Sequence, residues 1–201
     1  MEAVDLFKER AEEKQIELIT HVHTNVPARV IGDAGRLRQI LTNLMGALIR
    51  HGHPGEMVVD VSMEPTGLAD RVRFGFTGSA MNEETLKRLR DNQKQNESSH
   101  LSLAIAEQLA EALGGRMDTL QDHKEVHYWF VVPLPAEDGP APSSNVDTSA
   151  LSGRSLLVVD DSSTVTRVIR QRALAWGMRV TACHDPREAL ASIRTQTNLN
   201  D

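Results

Sequence analysis

The sequence is poor in the features that would assign it to a specialised class. It has a single cysteine, Cys183, so an internal disulfide framework is excluded and a reducing compartment is expected. No apolar run approaches the roughly 20 residues that a membrane-spanning helix needs. The first residues are charged and read as helix, so no signal peptide is recognised and a cytoplasmic location is expected. Basic residues do not dominate: 22 Lys and Arg stand against 28 Asp and Glu, a net charge of −6. A non-specific grip on nucleic acid is therefore not expected. What remains is a chain of 201 residues, 40% hydrophobic and 25% charged, which is ordinary for one or two soluble globular domains.

The strongest pattern lies in residues 33–52. Leu37, Ile40, Leu41, Leu44, Leu48 and Ile49 recur at helical spacing and give a broad apolar face. Asp33 is placed to cap the N-terminus with its carboxylate. Gly52 is expected to stop the helix by taking the left-handed conformation. Asn43 and Ala47, one turn apart, are expected to look in the same direction.

Before this helix, residues 2–14 read as one amphipathic helix with Val4, Leu6, Phe7 and Ala11 on one side. The alternation in 16–23 predicts a strand with Ile16, Leu18, Thr20 and Val22 on one face. His21 and His23 share the opposite face. Two histidines so spaced can bind a metal, but the sequence supplies no evident third ligand, and a solvated strand face is expected. After the helix come strands over 57–63 and 71–76, joined by a turn at Glu64-Pro65-Thr66-Gly67, with Val72, Phe74 and Phe76 inward. A helix opening at Asn82 and running to about Asn92 is followed by a polar loop, a helix over 101–113, and strands over 116–121 and 126–134. The fold class is α+β: a sandwich of one mostly antiparallel sheet with helices on one face.

Residues 136–153, with Pro140, Pro142 and several serines, read as a linker. The apolar run 154–159 then ends in Asp160 and Asp161, as a buried parallel strand would. With a helix over 162–176, a strand over 179–183 and a helix over 186–194, this makes the start of a doubly wound sheet. The domains are thus 1–135, a linker 136–153, and 154–201.

The 33–52 helix resembles the N-box helix of histidine kinase ATPase domains of the GHKL superfamily, roughly D-x-x-R-L-x-Q-(I/V)-L-x-N-L-L-x-N-A. Asp33, Arg36, Leu37, Gln39, Ile40, Leu41, Asn43 and Leu44 match. The resemblance covers about residues 4–135 and implies the Bergerat α/β sandwich with a mixed, mostly antiparallel sheet, and Mg-ATP as cofactor. It implies that Asn43 helps to hold magnesium and phosphates; the second asparagine falls on Ala47, and Arg50 takes the place of a lysine. In the D-x-G-x-G box Gly78 matches, Phe76 falls on the aspartate that reads adenine, and Ala80 falls on the second glycine. A buried polar group left without its partner costs about 1–3 kcal/mol. In the last box, G-x-G-L-G-L-A-I, the register puts Leu101, Leu103, Ala104 and Ile105 on the apolar positions, and His100 and Ser102 on glycine positions. The packing residues match and the nucleotide-contacting ones mostly do not.

The implied nucleotide site, vestigial or weak, is Asn43, Arg50, Gly78, His100 and Ser102. No catalytic residue is assigned, and none of the eight histidines sits in the H-(D/E)-x-x-(T/N)-P setting of a phosphoacceptor. The tail from Arg154 resembles the first half of a flavodoxin-like receiver domain, in which Asp160 and Asp161 match the acidic pair that holds magnesium. The family's phosphoacceptor aspartate lies on a third strand beyond Asp201, and the half receiver is expected to pack poorly or to be a remnant of truncation. Together these resemblances imply the catalytic region of a hybrid sensor histidine kinase with an impaired nucleotide site. Its expected partners are a histidine-containing dimerisation domain and other two-component proteins, within a membrane-associated, homodimeric parent. The alternatives are an active domain that phosphorylates a histidine elsewhere, using Asn43, His100 and Ser102 as substitutes, and a GHKL ATPase of the chaperone or repair type.

Overall fold

The computed structural model describes residues 2–64, 70–85, 87, 98–122, 125–137 and 148–197. The chain divides into two compact units, Met1–Ala141 and Pro142–Asp201.

The first unit begins with two short helices, α1 (Glu2–Asp5) and α2 (Lys8–Glu13), rather than the single helix that its apolar spacing predicts. The break at Leu6 and Phe7 puts Phe7 into the core and leaves Leu6 exposed. Strand β1 (Ile16–Val22) leads to α3 (Ala34–His51). The helix starts where the sequence puts it, because Asp33 Oδ1 accepts the Arg36 N–H at 2.9 Å. It ends at Gly52 for a different reason from the one expected. Gly52 is extended, with φ −66° and ψ 161°. What excludes a side chain there is space: a Cβ would stand 2.9 Å from the Leu48 carbonyl and 3.0 Å from Ile16 Cδ1.

Strands β2 (Gly55–Met63) and β3 (Arg71–Thr77), helix α4 (Ser98–Ala112), and strands β4 (Arg116–Asp122) and β5 (Glu125–Pro133) complete the unit. Of the helix expected from Asn82, residues 83–85 and 87 are helical and Asn82 stands just before them, while 86 and 88–92 fall outside the described residues, as do 65–67 of the predicted turn. The sheet order is β1-β2-β3-β5-β4. β1 and β2 run parallel and the other pairs antiparallel, which gives the mixed, mostly antiparallel sheet of the expectation.

Alternation sorts the side chains onto two faces. On the inner face Met57, Val59, Val72, Phe74, Phe76, Tyr128, Phe130 and Val132 join Ile40, Leu44, Met45 and Leu48 of α3 and Ala106 and Ala110 of α4 in one core. Phe74 and Phe130 are register partners, and their rings stack at 4.7 Å. The outer face carries Arg73 and Arg116, whose guanidinium groups lie 4.8 and 5.2 Å from the Trp129 ring centre. Arg116 also pairs with the buried Glu64.

The histidine face of β1 departs from expectation. His21 is only 6% exposed, and Asp60 of β2, its register partner, accepts from both His21 Nδ1 and His23 Nε2. The face is not simply solvated, and the third group that local sequence could not supply comes from the neighbouring strand.

In the second unit β6 (Ser155–Val159) and β7 (Arg179–Cys183) pair in parallel, with α5 (Ser163–Ala175) between them and α6 (Pro186–Thr197) after them. Ser162 caps α5 through its hydroxyl, which accepts the Val165 N–H at 3.0 Å. β6 is less buried than its apolar run suggests: Val158 is buried while Val159 is exposed.

Candidate nucleotide site

The residues named for the site fall on three elements of the first unit. α3 carries Asn43 and Arg50, seven residues and therefore about 10 Å apart along its axis. Asn43 sits at the edge of the apolar face, half-buried, and its Nδ2 is buried with no hydrogen-bond partner among the described residues. Ala47, one turn on, is 1% exposed within the core. The two share a direction only loosely: the alanine is packed and the asparagine is at the rim. Ala47 has no atom that could ligate a metal or meet a phosphate. Arg50 is exposed at the last turn, and its carbonyl accepts from Lys14 Nζ at 3.4 Å. With Phe7, Arg10 and Gly46 it lines a cavity of about 210 Å³ against the N-terminal helices.

The second element is the turn after β3. Gly78 has φ +129°, a region that L side chains avoid. A Cβ there would collide with the Glu56 carbonyl of the neighbouring strand. The turn is tied to that strand twice, since Ala80 N–H donates to Glu56 O and Glu56 N–H donates to Ser79 Oγ, both at 2.9 Å. Gly78 is thus required by packing, whatever else it does. Phe76 is 1% exposed and lies in the core, 6.5 Å from the Phe130 ring. Ala80 and Met81 are fully buried beside it.

The third element is α4, which packs against α3. Its first turn holds His100, whose side chain falls outside the described ones, and then Ser102, half-buried and partnered. The helix begins at Ser98 without any glycine in 98–102.

Residues 32–137, just over half of the chain, match the model of the family described as Histidine kinase-, DNA gyrase B-, and HSP90-like ATPase. The chain belongs to this ATPase family. The family binds ATP, usually with magnesium, and the α/β fold with its mixed sheet is that of histidine kinase catalytic domains. Among similar proteins, Hybrid signal transduction histidine kinase C of Dictyostelium discoideum is 27% identical over 202 residues, which span 90% of this chain and 16% of the relative. Signal transduction histidine-protein kinase BarA of Escherichia coli K12 is 28% identical over 181 residues, 81% of this chain and 19% of the relative. The crystal structure of full-length ShkA in complex with AMPPNP superposes with a TM-score of 0.73 at 26% identity, covering 94% of this chain and 40% of that one. The chain therefore spans about a fifth of the length of these curated relatives.

In the second unit Asp160 and Asp161 follow the C-terminal end of β6. Asp160 is half-buried and already engaged, its Oδ1 accepting the Ser162 N–H at 2.9 Å, while Asp161 is exposed. His184 Nδ1 lies 3.1 Å from the Asp160 carbonyl. No helix among the described residues is long and apolar enough to cross a membrane.

Proposed function

We propose that this chain is the catalytic-region segment of a hybrid sensor histidine kinase, that its nucleotide site is impaired, and that it acts in phosphorelay signalling through protein contacts. The observation that carries the reading is the Phe76 ring, buried in the core where the family's adenine-reading aspartate belongs. A phenyl ring cannot accept from the adenine amino group, and a polar base edge without its partner costs about 1–3 kcal/mol. Ala47 adds to this, since a buried methyl replaces the second asparagine of the N-box. The residues present therefore fit Mg-ATP poorly. Gly78 does not count against this, because packing against Glu56 alone accounts for it.

The parallel β6-α5-β7-α6 order and the aspartates at the end of β6 support reading 154–201 as the first half of a receiver domain, after a domain at 1–135 and a linker at 136–153. Asp160 and Asp161 would then offer carboxylate oxygens to magnesium. On this reading the partners are a histidine-bearing dimerisation domain and other two-component proteins.

One observation favours the alternative of an active domain that phosphorylates a histidine elsewhere. The buried Nδ2 of Asn43 has no partner among the described residues, and buried donors are ordinarily satisfied; a bound nucleotide with its waters would supply an acceptor. Calorimetric titration of the chain with ATP and magnesium separates the two. The impaired reading expects no saturable heat at micromolar nucleotide, and clear micromolar binding that is lost in Asn43→Ala would replace it with the active one.

A further inference from the structure

Away from the nucleotide-site elements, on the outer face of the sheet, three ligating side chains converge. His21 lies in β1 and His23 follows its last residue; two positions apart, their side chains share a face, and their ring centres lie 4.3 Å apart. The parallel register puts Asp60 of β2 directly beside His21. Asp60 Oδ1 is 3.0 Å from His21 Nδ1 and 2.9 Å from His23 Nε2. One ligand atom from each of the three residues can be chosen so that all lie within 4.8 Å of one another.

We propose that His21, His23 and Asp60 form a site for a borderline divalent cation of the zinc class. The donor set decides the class. Two imidazole nitrogens and one carboxylate oxygen suit zinc, cobalt or nickel, whereas magnesium and calcium take oxygen ligands. The dimensions agree: with bonds of about 2.0–2.1 Å, the edge of a tetrahedral zinc site is roughly 3.3 Å, close to the two nitrogen–oxygen separations. Placement agrees as well. His21 and Asp60 belong to paired strands, and His23, just past β1, is tied to β2 by its N–H, which donates to the Val61 carbonyl at 2.9 Å. The His21 side chain is 8% exposed, while those of His23 and Asp60 are 39% and 32% exposed. One ligand is thus anchored in the protein, and the other two leave an approach for the ion and a fourth position for water or a further ligand. On binding, the ion takes the place of the imidazole protons that Asp60 otherwise accepts. The result is a staple between the edge strand β1 and β2, at the point where β1 gives way to the segment leading into α3.

This is independent of the nucleotide reading, and its test uses no nucleotide. The full chain, freed of metal by chelation, is titrated with zinc chloride at near-neutral pH by calorimetry, and with cobalt chloride by visible absorption. The expected result is one ion per chain, with the cobalt form showing the intense bands of a low-coordinate site. Removing a ligand should weaken binding by at least about 10–100-fold, the loss that even outer-shell changes produce at metal sites, in His23→Gln and in Asp60→Asn. His53→Gln and His184→Gln should leave binding unchanged. Should Asp60→Asn fail to fold, His23→Gln carries the test alone, because its ring is partly in solvent. Saturating zinc should also raise the first unit's unfolding temperature in the unmodified chain and not in His23→Gln. Absence of saturable zinc binding by the unmodified chain, or equal affinity in His23→Gln, overturns the proposal.

Discussion

The two units of this chain use the same local devices and reach different degrees of burial. Each has a helix capped by a side-chain oxygen at its N-terminus: Asp33 on the Arg36 N–H at 2.9 Å, and Ser162 on the Val165 N–H at 3.0 Å. Each has parallel strands in register. The first unit closes a five-stranded sheet against α3 and α4 around a core that runs from Val4 to Leu134. The second has a two-stranded sheet, and its buried apolar residues among those described are Val158, Val168, Ala173, Cys183 and Ala189. Val159, Ile169, Leu174, Trp176, Leu190 and Ile193 are exposed there. Caps and strand propensity define where elements begin and end; the area they remove from water decides how firmly they stay.

If that contrast is right, heating should give two calorimetric transitions, the second unit melting first. The largest effect expected is on the first unit. Phe130→Ala removes a fully buried ring that meets both Phe74 and Phe76, and should cost about 3–5 kcal/mol. The upper transition should fall steeply while the lower stays in place; a single transition in the unmodified chain would dissolve the distinction. Next in size is Gly78→Ala. The backbone there has φ +129° and faces the Glu56 carbonyl, so a cost of about 1–3 kcal/mol is expected from the backbone conformation alone. Since Glu56 belongs to β2, the upper transition should again be the one that moves.

These residues also mark how far the sequence could be read. α3 and its Asp33 cap, and strands β2 to β5, follow from periodicity, because each is decided by neighbours within a few positions. The paired faces of β3 follow for the same reason: Val72, Phe74 and Phe76 alternate and all three are buried. The break at Leu6 was not legible, since a continuous apolar spacing does not say where the helix must turn to let Phe7 reach the core. Nor was the role of Asp60, which lies 39 residues from His21 and meets it only because β1 and β2 pair in parallel. Strand pairing is a non-local choice, and a two-residue histidine spacing carries no trace of it. At the candidate nucleotide site the identities of Asn43, Ala47 and Phe76 were readable; their burial was not. Gly78 carried an ambiguous signal, because a glycine that admits a phosphate and one that avoids a carbonyl look alike in sequence.

Smaller effects come from the caps, and they test the comparison symmetrically. Asp33→Ala and Ser162→Ala each remove one side-chain acceptor from a helix start and should each cost about 1 kcal/mol. Only the transition should differ: the upper one for Asp33, the lower one for Ser162. A shift of both transitions by either change would mean that the units unfold as one.

The smallest expected effect on stability is the most telling about the second unit. Leu190 is 56% exposed and Trp176 42% exposed, so replacing either by serine removes little buried area and should change stability by no more than about 0.5 kcal/mol. If instead Leu190→Ser lowers the lower transition as a core change would, that side chain is covered in solution and the burial seen within one chain is incomplete. Light scattering across a concentration series adds the second half of the argument. Clustered exposed apolar side chains favour association, so the double change Trp176→Ser with Leu190→Ser should reduce concentration-dependent scattering while leaving both transitions nearly where they were. Unchanged scattering would show that these residues sit singly on the surface and need no partner.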